Sequence, residues 1–139
     1  MHTKHTLTMK EIWLVASASE AHALAHGWDV TIAIVDDGGH PLWLQRLDGA
    51  APVSAHVALS KAHTAALARR DTKAIENMIN DGRFAFLSAP GIRGMLEGGV
   101  ALMIAGQCVG AVGVSGVLAA DDACIAQAGA QALYDAVAV

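Results

Sequence analysis

The chain has 139 residues, of which 54% are hydrophobic and only 4% are aromatic. That length predicts one domain over residues 1–139, with a core of alanine, valine, leucine and isoleucine. A net charge of −4 at pH 7, with no run of basic residues, argues against a nucleic-acid-binding protein. The first ten residues are polar and lack the apolar core of a secretion signal, so we expect a cytoplasmic protein.

The low charge predicts either a membrane protein or an oligomer that covers its apolar surface. Charged residues make up 16% of the chain, less than the usual quarter. Residues 98–120 carry no charge and are numerous enough to span a bilayer. Their glycines and the polar Gln107 instead favour a hairpin of two short strands, with Gly106-Gln107 as a two-residue turn. We therefore expect a homo-oligomer with no membrane segment.

The first half of the chain predicts a helix followed by a hairpin. Apolar residues recur at helical spacing over residues 8–26. Residues 29–36 are rich in β-branched side chains and predict a strand, and residues 40–47 form the second arm after a glycine turn. Pro41 near the start of that arm indicates an edge strand, because proline cannot donate to a sheet.

The second half predicts helices first and then another hairpin. Helices are expected over residues 53–69 and 73–80, followed by an irregular segment at 83–98. The apolar hairpin covers about residues 100–117, and a final helix runs over 121–137. Strands joined by tight turns form an antiparallel sheet, and helices must cover at least one of its faces. The predicted fold class is α/β, of the α+β type.

Several short sequences in a fixed order resemble one known family. They are VDDGGH at 35–40, RLDGA at 46–50, SKAHTAA at 60–66, the glycine pair at 98–99, GQCVGAVGVSG at 106–116 and DD at 121–122. Together they resemble the GlcG/HbpS family, which includes the C-terminal domain of PduO-type proteins, over about residues 10–136. The resemblance implies a profilin-like fold with a central antiparallel sheet of about five strands and flanking helices. It also implies homo-oligomers built from dimers and, as in some members, haem or a related tetrapyrrole as cofactor.

Histidines supply the candidate metal or haem ligands. His22 and His26 are four residues apart, so they share a helix face and can hold a metal or flank a haem. The alternative is a pair of exposed residues near a helix C-terminus, where positive charge is favourable. His56 and His63 are seven residues apart on the second helix, where they can line a ligand pocket or an interface.

Two basic residues are candidates for contacting a small acid. Lys61 lies among alanines in the second helix, where it can anchor a carboxylate or form a Schiff base. The alternative is a lysine whose stem covers apolar surface. Arg46 at the end of a strand can bind a carboxylate through two hydrogen bonds, or else form a surface pair with Asp48.

A glycine turn adds a candidate base. Glu97 precedes Gly98 and Gly99, whose backbone can approach a ligand closely, and a carboxylate there can act as a general base. The alternative is a plain turn into the hairpin. Ser115 lies in a glycine-rich strand that favours close packing first and ligand access second.

Three functions remain open on the sequence alone. The first is a small-ligand-binding protein that takes haem or a related tetrapyrrole. The second is a cofactor-independent enzyme of the lyase or isomerase type, acting on a small organic or aromatic acid through Lys61, Arg46 and Glu97. The third is an accessory subunit without a ligand of its own.

Overall fold

The computed structural model describes residues 1–137, so the last two residues of the predicted domain lie outside the described chain. Within it, helices and strands follow the predicted order. The elements are α1 (Met9–Ala25), β1 (Thr31–Asp36), β2 (Pro41–Arg46), α2 (Val53–Ala68), α3 (Thr72–Asn80), β3 (Gly99–Ile104), β4 (Gln107–Ser115) and α4 (Ala119–Val137). A short 3-10 helix, Phe84–Ser88, lies between α3 and β3.

The strands form one antiparallel sheet in the order β2-β1-β4-β3. Pro41 therefore lies in an edge strand, as predicted. Within residues 1–137 the sheet has four strands rather than about five. The segment between α3 and β3 adds none, since Gly91 and Gly94 take positive φ angles of 81° and 60° that interrupt extended backbone.

The turn between β3 and β4 was predicted one residue too late. Its two central residues are Ala105 and Gly106, with φ angles of 50° and 76°. Two positive φ angles define a type I′ turn, whose twist matches that of the flanking strands and which favours glycine at the second position. The prediction of Gly106-Gln107 was therefore wrong, and Gln107 is the first residue of β4.

Two helices begin slightly earlier than predicted. Helix α3 begins at Thr72 rather than at residue 73, with Asp71 as its N-cap, and Thr72 is buried with its hydroxyl accepting the Gly99 N–H at 2.8 Å. Helix α4 begins at Ala119, two residues before the predicted start at 121. The early start places Asp122 in the first turn, where it is buried.

The helices cover the two faces of the sheet with different side chains. Helices α1 and α4 pack on one face around large aliphatic residues, among them Ile12, Val15, Ile32, Val112, Ile125 and Leu133. Helix α2 packs on the other face through small residues, namely Ala58, Ala62, Ala65 and Ala66 against Ala33 and Ala111. At Gly113 a Cβ would lie 2.5 Å from the Ala62 nitrogen, so the backbone of α2 touches the sheet.

No helix within residues 1–137 has the length and apolar character needed to cross a membrane. The uncharged segment 98–120 instead contains the β3–β4 hairpin, as predicted.

Candidate ligand-binding site

Lys61 is buried in the protein and bound at its charged end. Its Nζ donates to the Val114 carbonyl at 2.9 Å and to Asp122 Oδ2 at 3.1 Å. Both side chains are 3% exposed. The other Asp122 oxygen accepts the Val117 N–H at 3.1 Å. This ion pair joins the middle of α2 to the end of β4 and the first turn of α4.

Burial raises the pKa of Asp122 above its usual value, although the Lys61 ammonium and the Val117 N–H act in the opposite direction. Burying either charge alone would cost free energy, so each member of the pair stabilises the charge of the other. A Schiff base needs a free amine, whereas this ammonium group is hydrogen-bonded within the fold.

The three residues expected to form a catalytic set lie apart. Arg46 is exposed at the end of edge strand β2, while Glu97 precedes the opposite edge strand β3. Three strand spacings separate these edges, about 14 Å. Glu97 accepts the Lys73 Nζ at 3.3 Å rather than meeting Lys61. The structure does not bring Lys61, Arg46 and Glu97 into one pocket.

The glycine pair packs closely against α2. A Cβ at Gly98 would lie 2.7 Å from the Lys61 Nζ, and one at Gly99 would lie 2.8 Å from the Thr72 side chain. The Gly99 N–H is already bound by Thr72, so it is not free for a ligand. Both glycines, with Glu97, border a cavity of about 300 Å³.

Elsewhere, Asp48 is exposed after β2 and Ser115 is half-buried at the end of β4.

The histidines of α1 form a stack. The His22 and His26 ring centroids are 4.5 Å apart, and His26 stacks in turn on Trp28 at 4.4 Å. The His26 Nδ1 lies 2.9 Å from the His22 carbonyl oxygen. Within residues 1–137 no group of three or more His, Cys, Asp or Glu side chains is placed to hold a metal ion. A metal here would therefore rest on two protein ligands.

His63 is hydrogen-bonded through both ring nitrogens, while His56 is exposed. The Nδ1 of His63 lies 3.0 Å from the Gly39 carbonyl and its Nε2 lies 3.0 Å from the Gly91 carbonyl. Both ring nitrogens thus face carbonyl oxygens of the chain, so neither is directed at a ligand in open space. His63 thus connects the β1–β2 turn to the segment that follows α3.

A groove of about 530 Å³ opens beside His63, between the β1–β2 turn, α2 and the segment after α3. We call it the His40 groove. Its eight lining residues are Gly39, His40, Pro41, Leu59, Ser60, His63, Gly91 and Arg93. They come from three separate parts of the chain, and its volume lies in the range of small-molecule sites.

His40 is the groove residue that is arranged as a metal ligand. Its Nδ1 lies 3.1 Å from Asp36 Oδ1, so it donates to the carboxylate, and Nε2 is the ring nitrogen left to face a ligand. Asp36 also accepts the backbone N–H groups of Gly38 and His40, each at 2.9 Å. Partial burial alone would raise the pKa of Asp36, but these N–H groups and the His40 ring hold it below its usual value. Asp36 is therefore an anion that orients the ring.

Sequence reasoning missed His40 because it was interpreted as the first residue of the second hairpin arm, 40–47. The available signal was the spacing: an aspartate four residues before a histidine, with two glycines between them. That spacing returns the chain on itself and lets the carboxylate meet the ring.

Comparisons with known proteins place the chain in a family. The family model described as haem degrading protein HbpS-like matches residues 7–131. Protein GlcG of Escherichia coli strain K12 is 47% identical over 115 residues, which cover 83% of this chain and 85% of GlcG.

Two crystal structures share the fold. A double mutant of Streptomyces reticuli HbpS has a TM-score of 0.85 and 30% identity, covering 94% of this chain and 89% of that one. PduOC in complex with heme has a TM-score of 0.83 and 26% identity, covering 92% of this chain and 95% of that one. The family resemblance and the α+β fold are confirmed, and the chain belongs to the HbpS-like family.

Proposed function

We propose that this protein binds haem or a related tetrapyrrole in the His40 groove, where His40 Nε2 would hold the iron. One observation carries the proposal: the Asp36 carboxylate fixes the His40 tautomer beside a groove of about 530 Å³. A carboxylate behind a ligating histidine is the usual second partner at protein metal sites. The heme complex of PduOC and the family description lend support.

The residues of the groove fit such a ligand. Pro41 and Leu59 supply apolar surface, and Gly91 leaves backbone open to a flat molecule. His63 borders the site but keeps its own nitrogens on carbonyl oxygens, which leaves the ligating role to His40. Bound haem would supply an iron centre for redox or oxygen chemistry, and the chain's own contribution is binding and orientation.

An absorption titration with haem tests the proposal. The wild type should give a saturable Soret shift, and His40→Ala should remove the histidine-ligated spectrum. His26→Ala tests the stacked pair on α1, and His56→Ala is the matched control, because His56 is exposed on α2 and does not line the groove.

Each outcome separates the possible sites. Loss of the spectrum in His40→Ala alone supports the groove. Loss in His26→Ala with His40→Ala unchanged moves the ligand to α1 and refutes the groove. A flat wild-type titration refutes tetrapyrrole binding and leaves the small-acid enzyme and the accessory subunit as the hypotheses to test.

A further inference from the structure

Arg93 stands at the His40 groove with a fixed backbone and a free charge. The buried Thr64 hydroxyl accepts the Arg93 N–H at 3.1 Å and donates to the Arg93 carbonyl. Within residues 1–137, the Arg93 guanidinium has no ion-pair or hydrogen-bond partner. The fold therefore fixes the Arg93 backbone and leaves its guanidinium available to a ligand.

The other basic side chains around the groove are already used by the fold. The Arg69 guanidinium donates to the carbonyl oxygens of Asp37 and Ala66. The two ring nitrogens of His63 lie on carbonyl oxygens. Among the eight residues that line the groove, Arg93 is thus the permanent cation available for recognition.

The lining of the groove favours an anion. None of its eight residues in the described chain is acidic, and the Asp36 carboxylate that contacts the lining residue His40 is bound to that ring. A guanidinium presents paired N–H donors that match the two oxygens of a carboxylate. Leu59 and Pro41 beside it suit the apolar body to which such a carboxylate would be attached.

We propose that Arg93 binds a carboxylate of the groove's ligand, so that the groove selects flat apolar molecules bearing a carboxylate side chain. For haem, that group is a propionate. The inference rests on the proposed function, and it assigns to Arg93 the selection of the ligand, whereas His40 holds its metal.

Titrations with haem and with haem dimethyl ester test this role. Arg93→Gln removes the charge, and Arg93→Lys retains the charge without the paired N–H donors of the guanidinium. Arg70→Gln is the control, because Arg70 is exposed and lies outside the groove. Arg93→Gln should weaken haem binding about threefold to tenfold, because the contact is partly open to solvent. The position of the Soret maximum should stay unchanged, since His40 still ligates the iron. Arg93→Lys should keep part of the affinity.

The ester separates charge recognition from packing. The wild type should bind the ester more weakly than haem, and Arg93→Gln should bind both equally. Raising salt from about 0.05 M to about 0.5 M should weaken haem binding to the wild type more than to Arg93→Gln.

The two proposals fail in different ways. A normal Soret shift with equal affinity in wild type and Arg93→Gln overturns the role of Arg93 and leaves haem binding intact. No Soret shift in the wild type overturns the proposed function and, with it, this inference.

Discussion

Replacing Lys61 by methionine tests whether this lysine stabilises the fold. Methionine keeps the length and apolar stem but leaves Asp122 buried with the Val117 N–H as its remaining partner. Removing one member of a buried ion pair costs about 3–5 kcal/mol. For a chain of this size, that loss corresponds to a melting temperature lower by about 10–20 °C. Replacing both members, as in Lys61→Met with Asp122→Leu, should recover most of the loss, since no charge is left buried.

Urea unfolding of the variants measures this directly. The matched control is Lys73→Met, an exposed lysine paired with Glu97 at 3.3 Å, which should unfold at nearly the same urea concentration as the wild type. A cost below about 1 kcal/mol for Lys61→Met would show that water reaches the pair and would refute the reasoning.

The same variant has a defined pH dependence. Burial already raises the pKa of Asp122, and loss of Lys61 removes an opposing effect. A raised carboxyl pKa means that the folded state binds the proton more tightly than the unfolded chain. The loss of unfolding free energy in Lys61→Met relative to the wild type should therefore grow as pH rises from the wild-type pKa of Asp122 to its higher pKa in the variant, and then level off. A deficit that shrinks with rising pH would contradict this assignment.

Four further predictions concern other parts of the protein. Asp36→Asn should weaken haem binding about tenfold to a hundredfold in the absorption titration, because the His40 ring loses its charged partner. An unchanged affinity would show that Asp36 does not support His40 as a ligand. The lowered pKa of Asp36 adds stability that is present above about pH 4 and is lost as pH falls through its folded-state pKa, so acid unfolding of Asp36→Asn should lack this loss. Gly113→Ala should cost about 1–3 kcal/mol in urea unfolding, since its Cβ would meet the backbone of α2; a neutral result would mean that α2 can move away. Light scattering should give a multiple of the 14.3 kDa chain mass, whereas a monomer would contradict the oligomer expected from the low charge.

The order of the elements could be predicted because it depends on local patterns. Periods of apolar residues predicted the helices and strands, and Pro41 correctly indicated an edge. The β3–β4 turn was misplaced by one residue because glycine suits more than one turn position, and only the strand register selects between them.

The site could not be predicted to the same degree, because its contacts join distant parts of the chain. Lys61 looked reactive in sequence, and only the fold reveals Asp122 as its partner. His40 and Arg93 meet the same groove from segments more than fifty positions apart. The Asp36–His40 contact is local, so this part of the site could have been predicted from the spacing of the two residues in the sequence.

The alanine surface of α2 has a consequence for how ligand preference can change in this family. One wall of the groove belongs to α2, and small side chains on the opposite side of that helix set its distance from the sheet. Enlarging Ala62 or Ala111 would push the helix away from the sheet and change the width of the groove without altering any residue that lines it. Relatives with identical groove residues can therefore differ in the size of ligand they accept, and a comparison limited to lining residues would not reveal the reason.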